Sequence, residues 1–362
     1  MAVAGGCQLP YHHLNIRWLS NLWRIAMKCQ CYLANFVAGK NIILIIVSGG
    51  DIASTNQADK LLEMGQWDAL PNIEGNIAYS LSNVRMWILP DGVLFEDDLD
   101  LRWQNETGEL VSEVIFPSRH AAASGQASLT IHPIGITGVV DDEEIRYGGR
   151  AGDAPPPNPR IASWWRELNR LTNSIQASDR ENDLKRFDLS LEVTHHGPWL
   201  SSPSLFIEVG STAETWHHQG AADLLAGIIF SGLALDGGSG FGQWDESKNS
   251  GELVVITLGG GHYAPRGNLL GLNEGIWIGH MLANYALPFI APESEGGVVQ
   301  GQWKNSIDAA VKSTRKAFPG GKIIFSWDKK SFKGWQRQAI RNRAAELEIP
   351  LLNSKSVLEM LV

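Results

Sequence analysis

The sequence predicts an α/β protein built on a mostly parallel sheet flanked by helices. Three observations carry that prediction. Short apolar, β-branched runs such as Asn41-Ile42-Ile43-Leu44-Ile45-Ile46-Val47 alternate along the chain with longer segments of helical spacing, the order expected when strands lie side by side and helices cross between them. Several runs end in a histidine or a glycine cluster, and strand ends in such sheets converge on one crevice. The composition is globular, with 44% hydrophobic and 19% charged residues in a chain of 362, enough to bury a full core without staples.

Taken in order, residues 1–40 differ in kind from the rest. They contain no Asp or Glu, carry Arg17, Arg24, Lys28 and Lys40, and place Trp18, Leu19, Leu22 and Trp23 at amphipathic spacing. We read them as an extension, either disordered or a weak organelle-targeting segment, and residues 41–362 as the folded body. The strand Asn41–Val47 is followed by a turn at Ser48-Gly49-Gly50-Asp51 and a helix from Ser54 to Met64, with Ser54 or Thr55 near its N-cap. Ile77–Tyr79, Val84–Leu89, Val111–Phe116 and Ser128–Ile131 read as strands, the last closing at His132-Pro133. From Asp141 to Pro159 the chain turns acidic and then proline-rich, so an exposed loop or internal boundary is expected near 141–160.

A helix is expected over Ile161–Ile175, where Ile161, Trp164, Trp165, Leu168 and Leu171 fall on one face. Leu189–Thr194 alternates with period two, and Leu205–Val209 is a further strand. Ser211-Thr212-Ala213-Glu214 has capping-box spacing, predicting one helix to about Phe230. Leu253–Leu258, Lys322–Trp327 and Ile349–Leu352 complete the strands, separated by helices at about Ser306–Ala317 and Gly334–Leu347.

Charge and cysteine usage narrow the setting. A net charge of −9 argues against a generic nucleic-acid coat while leaving room for a local basic patch. All three cysteines, Cys7, Cys29 and Cys31, precede residue 40, so the body has no disulfides, any metal there must be held by imidazole and carboxylate, and a reducing, cytoplasmic or nuclear setting is expected. No apolar run reaches the roughly 20 residues needed to span a bilayer. Neither a membrane nor an obligate protein partner is called for.

The chemistry-bearing residues lie at the strand ends. In an extended backbone adjacent side chains face opposite ways, so only one of His195 and His196 enters a given site unless the chain turns, and Gly197-Pro198 supplies a turn. Gly259-Gly260-Gly261 after a buried strand offers bare backbone to an anion or an oxyanion, and His262 closes the run beside Tyr263. Arg119 could pair a phosphate or carboxylate or form an ordinary salt bridge, next to His120; His132 ends the following strand. Glu208, inside an apolar strand, needs a partner or a function, as a general base or as the orienter of a histidine. His217-His218 reads as solvated or packing, and Asp236–Gly242 as a surface loop. Near the C-terminus Lys329, Lys330, Lys333, Arg337 and Arg341 accompany the rings Phe325, Trp327, Phe332 and Trp335, a combination suited to RNA or, equally, to a solvated helix covering a core edge.

Taken together, Ser118-Arg119-His120, Leu129-Thr130-Ile131-His132-Pro133, Glu192-Val193-Thr194-His195-His196-Gly197-Pro198, Phe206-Ile207-Glu208-Val209-Gly210-Ser211-Thr212 and Gly260-Gly261-His262-Tyr263-Ala264-Pro265 closely resemble the archaeal and plant-type D-aminoacyl-tRNA deacylases, from about residue 42 to the end. The chain departs from that pattern at Ile134-Gly135-Ile136, in longer loops around Ala177–Lys185 and Asp236–Asn249, and in residues 1–40. The resemblance implies a fold related to phosphorylases and peptidyl-tRNA hydrolases, D-aminoacyl-tRNA as substrate, and zinc, one or two ions per chain. On that basis zinc is expected on two or three of His120, His132, His195, His196 and His262, with a bound water as the nucleophile. Catalysis is expected from His195, His196, Glu208 and His262, with Arg119, Gly259, Gly260, Gly261 and Tyr263 binding the substrate and the C-terminal cations binding tRNA. Two other classes compete: a phosphate-dependent nucleoside-processing enzyme, which would use Arg119 and the glycine run for phosphate, and a noncatalytic RNA-binding protein, which would keep the histidines as core.

Overall fold

Twelve strands, assembled into two sheets, make the frame of the molecule. A computed structural model describes residues 41–138, 148–179, 182–294 and 296–361; the 1–40 extension and residues 141–147 of the expected linker lie outside the described residues. The strands are β1 (Asn41–Ser48), β2 (Asp68–Ala69), β3 (Ala78–Leu81), β4 (Val84–Leu89), β5 (Leu110–Ala121), β6 (Ser128–Pro133), β7 (Asp188–Leu191), β8 (Ser204–Ser211), β9 (Leu253–Leu258), β10 (Ile276–Leu282), β11 (Lys322–Trp327) and β12 (Leu351–Leu352). The first sheet has the order β2-β3-β4-β1-β5-β8-β6-β7 and the second β10-β9-β11-β12. Pairing is parallel throughout the second sheet and at the centre of the first, and antiparallel where β6 meets β8 and along the β2-β3-β4 edge.

Period-two alternation explains why both faces of β1 are apolar. Ile43, Ile45 and Val47 enter one core with helix residues such as Leu61, Trp164 and Leu225, while Ile42, Leu44 and Ile46 enter another with Trp87, Trp103, Phe116 and Phe206, as a sheet covered on both sides requires. The second sheet divides likewise. Leu253 and Val255 of β9 join the first core, and Val254, Ile256 and Leu258 pack under the helices Trp303–Ala317 and Gly334–Glu346.

Local chemistry moves some boundaries. The helix expected from Ser54 runs Ile52–Met64, because the Asp51 carboxylate caps it by accepting from the amides of Ala53 and Ser54 at 2.9 and 3.3 Å. The helix expected from Ser211 to Phe230 is two helices. Thr212 and Thr215 close a capping box on Ala213–Trp216, and the His218 ring then caps Gln219–Gly232 by accepting from Ala221 N at 2.9 Å. The proline run is packed, not exposed: Ala154 through Asn158 are buried, Pro157 bridges to Ser204, and Arg160 joins Glu113 at 2.7 Å in the core. Among the described residues, no helix is long and apolar enough to cross a membrane.

Candidate active site

Register assembles the site before any side chain is considered. In β5, β8 and β6, Ser118 aligns with Glu208 and His120 with Gly210, and Glu208 aligns with Thr130 and Phe206 with His132. Alternation puts all of these on one face. Gly210 makes room there, since a Cβ at that position would stand 2.8 Å from His120 Cδ2 and 2.6 Å from Ser128 Oγ.

The chain leaving β7 brings in the remaining groups. Glu192 N is held by Ile131 O at 3.1 Å, Val193 N by His262 O at 2.9 Å and Thr194 N by Met281 O at 2.7 Å, so this segment stitches the loop after β9 and strand β10 to the first sheet. The backbone then turns left-handed at His196 (φ 27°) and Gly197 (φ 92°). That departure from extended geometry sends both imidazoles the same way, with His195 and His196 ring centroids 4.1 Å apart and His132 4.2 Å from His195. A non-glycine residue there stores strain, a cost of the kind found at functional sites.

Five histidines therefore surround two buried carboxylates. Glu192 lies 3.1 Å from His120 Nδ1, 3.4 Å from His262 Nε2 and 3.6 Å from His195 Nε2. Glu208 accepts from Thr130 Oγ1 at 3.3 Å and lies 3.6 and 3.7 Å from His120 Nδ1 and His132 Nε2. Burial works against the imidazolium of His120 and His132, but the Glu208 and Glu192 charges outweigh it and raise both from the ordinary histidine value. His195 and His196 go the other way. Burial and the neighbouring imidazoles lower His195 well below the ordinary value and His196 to about 3. Glu208 is lowered despite burial, because His120 and His132 face its charged form.

Within this cluster the polar atoms are left open. Among the described residues neither Glu192 oxygen has a hydrogen-bond partner, nor do His120 Nε2, His132 Nε2 and His196 Nδ1, although such atoms are costly to bury bare. Backbone carbonyls fix two tautomers: His132 Nδ1 donates to Pro133 O at 3.1 Å and His195 Nδ1 to Val193 O at 2.7 Å, so that each ring, when neutral, carries its lone pair on an inward Nε2, as metal-ligating histidines are held. Donor atoms of His132-His195-His196, of His120-Glu192-His262 and of His132-Glu192-Glu208 each lie within 4.8 Å of one another. The residues fit a divalent metal by donor type and by open valence.

Glu192 is the site residue that residue-by-residue reading missed. The signal was present, for it interrupts the alternating run Leu189-Ser190-Leu191 just as Glu208 interrupts β8. The glycine run is less available than expected. Gly259 N donates to Leu282 O at 2.7 Å and Gly260 N to Asn284 Oδ1 at 2.8 Å, so neither amide points at an anion; exposed Gly261 has open space where a side chain would stand. Among the described residues Arg119 forms no salt bridge: its amide donates to Asp51 Oδ2 at 2.8 Å, and its exposed guanidinium lies 5.2 Å over the Trp216 ring. Tyr263 is exposed at the rim, 5.2 Å from the His262 ring.

In the C-terminal segment Phe325, Trp327 and Phe332 are core residues and cannot stack on bases, and half-buried Trp335 packs on Phe289. Lys329, Lys330 and Lys333 are exposed, Arg341 lies over Trp327 at 5.4 Å, and Arg337 donates to Phe332 O at 3.2 Å. This segment adjoins the site, because Ser331 and Phe332 pack on Gly259 and Asn284 Nδ2 donates to Ser331 O at 2.7 Å. His217 is exposed, and His218 pairs with Asp183 at 2.7 Å, away from the cluster.

Comparison with known proteins adds an independent line. The family model described as D-aminoacyl-tRNA deacylase matches residues 107–352. A D-aminoacyl-tRNA deacylase of Arabidopsis thaliana is 40% identical over 314 residues, covering 85% of this chain and 97% of the relative. One from Methanosarcina barkeri is 29% identical, covering 88% and 91%, and one from Thermococcus onnurineus is 29% identical, covering 85% and 98%. A crystal structure of a conserved protein of unknown function shares the fold, with a TM-score of 0.68 at 23% identity over 88% of this chain and 98% of that one.

Proposed function

The chain belongs to the D-aminoacyl-tRNA deacylase family, and we propose that its histidine–glutamate cluster hydrolyses the ester joining a D-amino acid to tRNA, releasing free tRNA and the D-amino acid. The observation that carries this reading is the convergence of His120, His132, His195, His196 and His262 on Glu192 and Glu208, with donor atoms left open. Satisfied core histidines, as a noncatalytic RNA-binding protein would need, have partners like those of His280, held by Thr194 and Ser313 at 2.9 Å each. The phosphate-dependent alternative loses two of its donors, the occupied amides of Gly259 and Gly260.

Zinc would be held by His132, His195 and His196, with Glu192 beside them, 3.6 Å from His195 Nε2. When bound, it supplies the Lewis acidity that polarises an ester carbonyl and brings the ionisation of water toward neutral pH. The protein's own residues do the rest. His262, with 33% of its side chain exposed the most accessible histidine among those paired to the two glutamates, takes the proton from the attacking water. Glu192, 3.4 Å from its Nε2, stabilises the imidazolium that results. Glu208, fully buried between His120 and His132, orients those rings and does not reach the substrate. Lys329, Lys330 and Lys333, beside the glycine run, take backbone phosphates. Chirality is read by shape, since a wall that accepts the D side chain meets an L side chain head-on. The absence of cysteine from the body supports a cytoplasmic setting.

The test is single-turnover deacylation of matched D-tyrosyl- and L-tyrosyl-tRNA. Rapid loss of the D-ester with the L-ester left at its spontaneous rate is expected; equal rates for both would sink the assignment.

A further inference from the structure

Among the described residues only three aromatic side chains are exposed: Phe95, Tyr263 at 42% and Tyr285 at 57%. Two of the three stand beside His262. The Tyr285 hydroxyl lies 3.1 Å from His262 Nδ1, and the Tyr263 ring lies 5.2 Å from that of His262 and 6.2 Å from that of His120. Large rings kept in water next to reactive groups are characteristic of a surface that receives a flat partner.

The backbone between them is built to the same end. Asn284 is fastened to the glycine run in both directions, accepting from Gly260 N at 2.8 Å and donating through its own amide to Gly260 O at 3.2 Å, which fixes the position of Tyr285. Around Gly260 an added Cβ would meet only Asp328 Oδ2, at 4.0 Å, and around Gly261 nothing within 4 Å. Glycines that are not needed for tight packing leave a flat, open floor, with one tyrosine following it in sequence and the other anchored to it. On the neighbouring segment Lys329 and Lys330 are exposed.

We propose that the terminal nucleobase of the tRNA acceptor end lies on the Gly260-Gly261 floor and stacks on Tyr263 and Tyr285, with the phosphates leading to it directed toward Lys329 and Lys330. This rests on the deacylase reading and names how its substrate is seated. Stacking tolerates any base, as a site reading the shared end of every tRNA requires. A base held there sets the ribose that carries the ester beside His262. Tyr285 has a second task as a positioning residue: its hydroxyl holds the His262 ring with Nε2 toward Glu192.

The experiment is single-turnover cleavage of D-tyrosyl-tRNA over a range of enzyme concentrations, with adenosine 5′-monophosphate and ribose 5-phosphate as competitors. It is run on the full chain and on Tyr263→Leu, Tyr285→Leu, Tyr285→Phe and Gly261→Val. Adenosine monophosphate is expected to compete and ribose 5-phosphate not to. Each leucine variant should raise both the half-saturating enzyme concentration and the nucleotide inhibition constant by roughly five- to a hundredfold. Gly261→Val, whose Cβ enters open space with no neighbour within 4 Å, should do the same. Tyr285→Phe should keep the nucleotide affinity and lower the saturating rate. Leucine variants that keep both constants within twofold, or equal competition by the two ligands, overturn the stacking role while the deacylase reading stands. No cleavage of the D-ester by the unaltered chain overturns the function itself.

Discussion

Replacing Glu192 with glutamine separates a metal-binding carboxylate from a structural one. The side chain is fully buried, and three histidine nitrogens lie 3.1, 3.4 and 3.6 Å from its oxygens, neither of which is hydrogen-bonded. A cation seated among those nitrogens would be within about 4 Å of the carboxylate, where each unit of the cation's charge is worth about 4 kcal/mol at an effective dielectric constant near 20, so that even one unit left after the imidazole ligands share the charge sets a floor of about that size on the attraction. Losing it should weaken divalent-metal affinity by roughly a thousandfold. If Glu192 served only to pair with protonated His120, breaking that buried pair should destabilise the metal-free protein by about 3–5 kcal/mol. A much smaller loss is expected here, because glutamine keeps the shape, removes a buried charge that has no hydrogen bonds of its own, and leaves Glu208 facing His120 at 3.6 Å. Calorimetric titration of zinc into metal-depleted wild type and Glu192→Gln, beside thermal melts of both, distinguishes the two. A saturating metal at a thousand times its Kd adds about 4 kcal/mol of stability to wild type, and the variant should lose that gain with only a small change in its metal-free Tm. Unaltered zinc affinity with a strongly depressed metal-free Tm would show that Glu192 pairs with His120 and holds no metal.

Three further outcomes follow from the geometry. Gly210→Ala places a methyl 2.8 Å from His120 Cδ2 and 2.6 Å from Ser128 Oγ, so it should cost about 1–3 kcal/mol in denaturant melts and displace His120, slowing D-ester cleavage more than it weakens tRNA binding. In the metal-depleted protein the raised pKa of His120 and His132 contributes stability that is present below the unfolded value of about 6.5 and lost as pH rises through their folded values. The depressed His196 and His280, each at about 3, contribute stability present above about 6.5 and lost below it by about 1.4 kcal/mol per histidine per pH unit. Stability should therefore peak near neutrality and fall steeply toward acid, and a Tm that rises from pH 7 to pH 5 would contradict this assignment of charges. Replacing Lys329, Lys330 and Lys333 together with alanine should raise the KM for tRNA and flatten its salt dependence, by about one unit of log–log slope per lost phosphate contact, at an unchanged saturating rate. Arg343→Ala, whose guanidinium is already paired with Asp308 and Glu346, should leave that salt dependence as it is.

What the sequence made legible depended on how local each signal was. β1, β4, β9 and β11 are predominantly apolar, β-rich runs and match their expected limits within a residue. β10 was missed because Gly279 and His280 break its pattern, and both have tertiary reasons. A Cβ at Gly279 would stand 2.9 Å from Thr314 Cγ2, where a helix crosses the sheet, and His280 is a buried link between Thr194 and Ser313. The helix Leu99–Thr107 carries few apolar residues and begins beside Asp98 in a left-handed conformation, so neither its periodicity nor a cap announced it. At the site the five histidines and Glu208 could be listed from their places at strand ends. The joint entry of His195 and His196 could not, because it rests on the left-handed turn at His196. The role of the basic segment was half visible: its cations are exposed, while three of its four rings serve the core.

The most direct measurement is the rate of D-tyrosyl-tRNA cleavage under single turnover by protein stripped with a chelator, then supplied with zinc in measured equivalents. Loss of cleavage on stripping is expected, with recovery that saturates at one or two ions per chain and the L-ester untouched throughout. Cleavage that persists at full rate in metal-free protein would contradict the claim that the open donor atoms of this cluster are metal ligands.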